Sequence, residues 1–196
     1  MHLVYALALG TLLVVHSQRK RSLTPGGGAA AFILALVTFT SPLYFHTLVL
    51  LVFYLSGSRL TKYKTQIKEG YEEHGSTART ATQVFCNSFM GALTVALSTQ
   101  GFASLNKGET CFSWSVSSAV LTWMYIGHYA CCAGDTYASE LGILSQGQPI
   151  LITTLRPVPR GTNGGVSLLG LGASLLGGTV VGVSVWAPCV VYLDPW

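Results

Sequence analysis

The chain has 196 residues, of which 50% are apolar and 9% charged, with a formal net charge of +4. An ordinary soluble domain carries roughly 25% charged residues, so this composition excludes a soluble globular enzyme and reads as a single integral membrane domain, residues 1–196. No nucleic-acid partner is expected, because the aromatic residues lie in apolar runs rather than among the basic ones.

Apolar residues fall in six blocks, at 3–16, 26–40, 43–56, 82–105, 112–134 and 165–193. They predict an all-α polytopic transmembrane bundle of about six spans. The first block lacks a basic start and a small-residue cleavage site before Arg19-Lys20-Arg21, so it reads as a retained span. The second and third are short for a ~30 Å hydrocarbon core. Residues 26–56 therefore form either two segments turned at Ser41-Pro42, as spans or a dipping hairpin, or one span broken at Pro42.

With the amino terminus outside, six spans place Arg19, Lys20, Arg21, Arg59, Lys62, Lys64, Lys68, Arg79, Arg156 and Arg160 on one face and Lys107 on the other. The positive-inside tendency makes that basic face cytoplasmic, with an endomembrane the favoured compartment; merging 26–56 into one crossing would divide the basic residues between both sides. Such a face suits anionic lipid heads or nucleotide phosphates.

The segment after the third block runs Ser58-Arg-Leu-Thr-Lys-Tyr-Lys64 and then Lys68. Lys62 and Lys64 either anchor the chain at the membrane border or contact a ligand. Glu69, Glu72 and Glu73 read as a solvated charged patch. Arg79, Gln83 and Asn87 are four apart and are expected to line one side of the fourth span, as a site or as interhelical hydrogen-bonding groups. His46 and His128, in apolar blocks, are expected to be buried and satisfied. The five cysteines, Cys86, Cys111, Cys131, Cys132 and Cys189, have no metal-ligand spacing and read as small helix residues.

A polar island follows the fifth block. In Gly134-Asp-Thr-Tyr-Ala-Ser-Glu-Leu-Gly142, Gly134 is expected to end the span and Asp135 to cap a new helix. Thr136 and Glu140 then share one face, and Asp135 and Ser139 a neighbouring one. Two carboxylates with hydroxyls between them can hold Mg²⁺ and leave its other positions to waters and phosphates; the alternative is a capping Asp135 and a solvated Glu140.

The island resumes at Pro159-Arg-Gly-Thr-Asn-Gly-Gly-Val-Ser167. Gly161, Gly164 and Gly165 let backbone N–H groups converge, the following helix adds unpaired donors, and Arg160 adds a forked cation, together an anion site. The alternative is a turn in which Thr162 or Asn163 caps the last span. There is no Walker ending, Ser/His/Asp set, zinc signature or dinucleotide fingerprint. Within the last block Gly170, Ser174, Gly178 and Gly182 form a four-residue stripe for a close helix partner, inside the fold or outside it.

Thr61-Lys-Tyr-Lys64, Gln83-Val-Phe-Cys-Asn87, the Gly134–Gly142 motif and Val158-Pro-Arg-Gly-Thr-Asn-Gly-Gly-Val166 stand in the order seen in the transmembrane protein 19 family. The chain resembles this family, its animal members most closely, from about Arg19 onward. The wider group, long labelled a domain of unknown function, includes a plant chloroplast phytyl-phosphate kinase. The resemblance implies an isoprenoid-phosphate kinase that uses a nucleoside triphosphate and Mg²⁺ on a prenyl phosphate. It marks Thr61, Lys62, Lys64, Arg79, Gln83, Asn87, Asp135, Thr136, Ser139, Glu140, Gly161, Thr162, Asn163, Gly164 and Gly165 as motif positions, with Asp135 and Glu140 catalytic and metal-holding.

Tyr137 stands where the family commonly has tryptophan, Ser88 where glycine often follows the asparagine, and the spacing before Arg79 is irregular. Family members usually continue past the sixth span with further helices and another Asp-containing motif, so a chain stopping at Trp196 is expected to be a short form or to have lost activity. An anionic-lipid transporter or flippase and a non-catalytic membrane component are the rival readings.

Overall fold

Breaks between helices fall where the chain supplies caps and turn residues. A computed structural model describes residues 3–68, 70–71, 78–102 and 116–193. Glu69, Glu72, Glu73, Lys107 and Cys111 lie outside the described residues. Helix α1 spans Leu3–Arg19. Helix α2, Pro25–Phe39, starts with Pro at its first turn while the Thr24 hydroxyl accepts from Gly27 N. Ser41-Pro42 then separates α2 from α3, Tyr44–Lys62, so residues 26–56 form two helices on either side of that break. In that break Ser41 Oγ accepts from Leu43 N and bonds His46 Nδ1 at 2.7 Å.

The single turn α4, Thr65–Lys68, follows. Helix α5, Ala81–Phe102, opens with a reciprocal capping box: Gln83 Oε1 accepts from Thr80 N at 2.8 Å and Thr80 Oγ1 from Gln83 N at 3.4 Å. Helix α6, Val116–Gly142, leads to strands β1 Ile150–Leu151, β2 Arg156–Pro157 and β3 Gly165–Val166. These form a small antiparallel sheet in the order β2-β1-β3, with Ile150 opposite both Pro157 and Val166. Ser167 caps the last helix, α7, Leu168–Leu193, by accepting from Gly170 N at 3.1 Å.

Two expected boundaries are corrected. The third apolar block stops at Ser56, but α3 runs on to Lys62 and carries Arg59 and Thr61 on helix. The fifth block continues through Gly134, and Asp135 sits inside α6 rather than capping a new helix. The small sheet is an addition that apolar periodicity did not predict.

The protein is all-α in its membrane part. Among the described residues one helix, Leu168–Val190 within α7, is long and apolar enough to cross a bilayer by itself; α1 and α2 are apolar but have 17 and 15 residues. The core lies where α2 meets α5 and α3 meets α6 and α7, around Phe39, Val49, Val95, Tyr125, Tyr129 and Val181. Tyr125 satisfies its hydroxyl by donating to His46 O at 2.6 Å.

The closest seam joins α6 to α7. A Cβ on Gly177 would lie 2.6 Å from Ala133 O, one on Gly134 2.9 Å from Ser174 Oγ, and one on Gly142 3.2 Å from Gly170 Cα. Gly134 thus serves packing, not helix termination. The predicted stripe holds at Gly170 and Ser174, whereas a Cβ on Gly178 or Gly182 meets nothing within 4 Å. A four-residue repeat advances ~40° per step on a 3.6-residue helix, so the stripe rotates off the seam and Gly177 replaces Gly178.

Gly177→Leu should therefore lower the unfolding midpoint in detergent by the equivalent of at least ~1–3 kcal/mol of overpacking, because the obstacle is backbone. Gly178→Leu should leave the midpoint within about 1 °C of wild type on the same scale of ~0.5 kcal/mol or less for neutral sites. A thermal melt of the two variants side by side checks both.

Candidate functional site at the basic end of the helices

The ends of α1, α3 and α6 and the start of α5 come together at one end of the molecule. Lys62 Nζ donates to Lys20 O, and Leu23 pairs with Arg79 in a short parallel bridge, with Arg79 N donating to Ser22 O at 3.0 Å. These contacts bring the Arg19-Lys20-Arg21 triplet, the α3 terminus and Arg79 to a common end.

Glu140, in the last turn and a half of α6, is the centre of the cluster. Its Oε1 accepts from Thr61 Oγ1 at 2.7 Å, and its Oε2 accepts from Lys68 Nζ at 2.5 Å. Among the described residues this is the one ion pair, and its side chains are 4% (Lys68) and 18% (Glu140) exposed. Lys68 Nζ also donates to Leu60 O at 2.7 Å, so two of its three donors are used. Lys68, which sequence left as one basic residue among several, is the buried cation; Lys62 and Lys64 are exposed, with Lys64 over the Tyr63 ring at 5.4 Å.

Arg79 lies half-buried beside this pair. A Cβ on Gly57 would be 3.0 Å from Arg79 Nη2 and 3.5 Å from Thr136 Cγ2, so a residue without a side chain on α3 leaves the guanidinium its path toward α6. Burial pulls this guanidinium below its ordinary value, while Glu140 and then Tyr54 act in the opposite sense; an arginine remains charged throughout. Its side chain makes no hydrogen bond to a described residue. It lines a cavity of about 40 Å³ together with Asn87, Ser88 and Tyr54, whose other walls are apolar residues of α1, α2, α3 and α5. The Tyr54 hydroxyl is buried without a partner among the described residues.

Other expected residues are distributed differently. Arg79 precedes α5 and Gln83 is exposed in its capping box, so of the predicted Arg79-Gln83-Asn87 row only Arg79 and Asn87 share a site. Thr136 and Glu140 do share the α3-facing side of α6. Asp135 and Ser139 are exposed. On a continuous helix Asp135 and Glu140 point about 140° apart, and among the described residues no group of three or more His, Cys, Asp or Glu could hold a metal ion. His128 is half-buried with Nε2 at 3.1 Å from Asn87 O, and His46 is buried on Ser41, both satisfied as expected. Cys86, Cys131 and Cys132 form no disulfide.

The glycine turn sits beside the sheet. Gly161 and Gly164 adopt left-handed backbone with φ of 83° and 80°, and a Cβ on Gly161 would lie 2.7 Å from Tyr71 O. Arg160 stacks over the Tyr71 ring at 5.6 Å and donates to Gln146 O and to the Tyr71 hydroxyl. Thr162 and Gly165 use their N–H groups within the turn. Strand β3 separates the turn from α7, and the cap is Ser167, not Thr162 or Asn163.

Residues 8–195 match the family described as "Integral membrane protein DUF92". The chain is 40% identical over 189 residues to "Protein PGR" of Arabidopsis thaliana, covering 93% of this chain and 63% of that one. Uncharacterised membrane proteins of Synechocystis (32% over 166 residues, 84% of this chain and 60% of that one) and Methanocaldococcus jannaschii (26% over 172 residues, 88% and 65%) are also similar. The chain thus spans less than two thirds of the length of these relatives. No solved structure matches it. Family match, composition and the apolar α7 span agree: the chain belongs to the DUF92 family of integral membrane proteins.

Proposed function

We propose that the chain is a membrane-embedded isoprenoid-phosphate kinase, which moves the terminal phosphoryl group of a nucleoside triphosphate onto a prenyl monophosphate. The observation that carries this reading is the convergence of Thr61, Arg79, Thr136 and Glu140, from three distant stretches of sequence, beside an apolar cavity that Arg79 also lines. Six crossings are proposed, with this basic end cytoplasmic in an endomembrane. The gathering of Lys20, Lys62 and Arg79 at one end supports that orientation.

The chemistry asks little of the protein beyond position and charge. An oxygen of the acceptor phosphate, already ionised, attacks the terminal phosphorus; that bond forms as the bond to the bridging oxygen breaks, leaving a nucleoside diphosphate and a prenyl diphosphate. No proton need be removed, so no general base is required, and charge stabilisation dominates. Arg79 neutralises the acceptor phosphate. The exposed Lys62, Lys64 and Arg160 and the Gly161–Gly165 turn meet the nucleotide phosphates from the aqueous side.

Mg²⁺ fits only as a companion of the nucleotide. Both Glu140 oxygens are engaged by Thr61 and Lys68, whereas the Asp135 carboxylate is exposed. One carboxylate with substrate phosphates and waters is an ordinary Mg²⁺ set. Asp135 would hold the ion, which would supply positive charge against the phosphates. Glu140 instead fixes the Lys68 ammonium and the α3 terminus around Arg79.

Purified protein in nanodiscs with a prenyl monophosphate, Mg²⁺ and CTP or ATP should release the prenyl diphosphate. Arg79→Gln should lower kcat/KM by roughly 10²–10³, the usual loss of a charge-stabilising donor, and Asp135→Asn should raise the Mg²⁺ concentration needed for half-maximal rate. If wild type yields no more diphosphate than these variants, the kinase reading fails; lipid flux without nucleotide consumption would favour a transporter.

A further inference from the structure

Two polar groups that line the cavity have no hydrogen-bond partner among the described residues. The Tyr54 hydroxyl is buried and unpaired among them, in a residue 8% exposed. The Arg79 guanidinium reaches the same space through the gap that Gly57 leaves, and stands outside ion-pair distance of Glu140, which Lys68 already neutralises. A buried donor left unmade is costly, and a guanidinium beside a phenol is a donor set for a compact oxyanion. Asn87 and Ser88 line the same cavity.

The other walls are apolar. Leu13, Leu34, Ala35, Leu50 and Phe53 line the space. Its volume of about 40 Å³ exceeds the ~10–15 Å³ that one water requires. A space of that volume has room for the leading carbons of one hydrocarbon chain and not for two chains side by side. Ala31 and Ala35 give the α2 wall its clearance.

We infer that this cavity is the subsite of a single-chain anionic amphiphile, its phosphate on Arg79 and Tyr54 and its chain entering between α1, α2, α3 and α5. The assignment deepens the kinase reading by locating where the acceptor lipid is held, and adds Ala35 as a residue that sets which chains fit. Tyr54 positions the phosphate by donating its hydroxyl proton to an oxygen that Arg79 also holds.

Binding to the purified full chain, without nucleotide, tests this separately from turnover. Dodecyl phosphate should bind saturably and at least tenfold more tightly than inorganic phosphate, dodecanol or two-chain phosphatidic acid. Arg79→Gln should weaken dodecyl phosphate at least tenfold and leave dodecanol unchanged. Ala35→Phe should weaken dodecyl phosphate and leave inorganic phosphate unchanged. Tyr54→Phe should weaken dodecyl phosphate severalfold while the melting temperature of the ligand-free protein stays the same or rises, since the lost hydroxyl had no partner. Equal affinity for dodecyl and inorganic phosphate, equal affinity for phosphatidic acid, or wild-type binding by both Arg79→Gln and Tyr54→Phe would overturn the subsite. Dodecyl phosphate binding of this pattern without any diphosphate product sustains the subsite and sinks only the kinase; turnover with none of these binding effects does the reverse.

Discussion

A carboxylate at the membrane end of a helix has to be neutralised, and the way Glu140 is neutralised fixes everything around it. Charges taken from water cost several kcal/mol each in practice and are kept only with partners of good geometry. Here the partners are Thr61, at the end of α3, and Lys68, on the turn that follows. Binding both clamps the α3 terminus to α6. Lys68 thereby uses two of its three donors on Glu140 and Leu60 O, which leaves Arg79 as a half-buried cation whose side chain makes no hydrogen bond to a described residue.

The α6–α7 seam serves the same end. Gly134, Gly142, Gly170 and Gly177 remove side-chain bulk where the two backbones meet, so α6 is held continuous through a segment rich in polar residues. That continuity decides the helical phase of the island. It directs Thr136 and Glu140 toward α3 and leaves Asp135 and Ser139 exposed on another face. One helix therefore carries an inward carboxylate engaged by Thr61 and Lys68 and an exposed carboxylate only five positions away.

The helices were legible because apolar runs of this length have few other uses, and the Ser41-Pro42 break was legible because turn residues interrupt them. Their ends were not. Apolar content falls away at Ser56 and Gly134, but α3 and α6 continue because Thr61 and Glu140, 79 positions apart, meet across them. No local pattern encodes that contact. Lys68 had the same appearance as Lys62 and Lys64, and only tertiary proximity to Glu140 buries it. The motif resemblance marked Thr61, Arg79, Thr136 and Glu140 without saying which pairs with which. The four-residue stripe failed at Gly178 for a simpler reason, the mismatch between a repeat of four and a turn of 3.6.

A double-mutant cycle on Lys68 and Glu140, read as unfolding free energy in detergent, tests the central claim most directly. Lys68→Met and Glu140→Gln should each destabilise by ~3–5 kcal/mol, the usual effect of stranding one member of a buried pair, whereas the double variant should recover most of that loss. Single variants within ~0.5 kcal/mol of wild type, with effects that simply add, would mean that the pair holds nothing together.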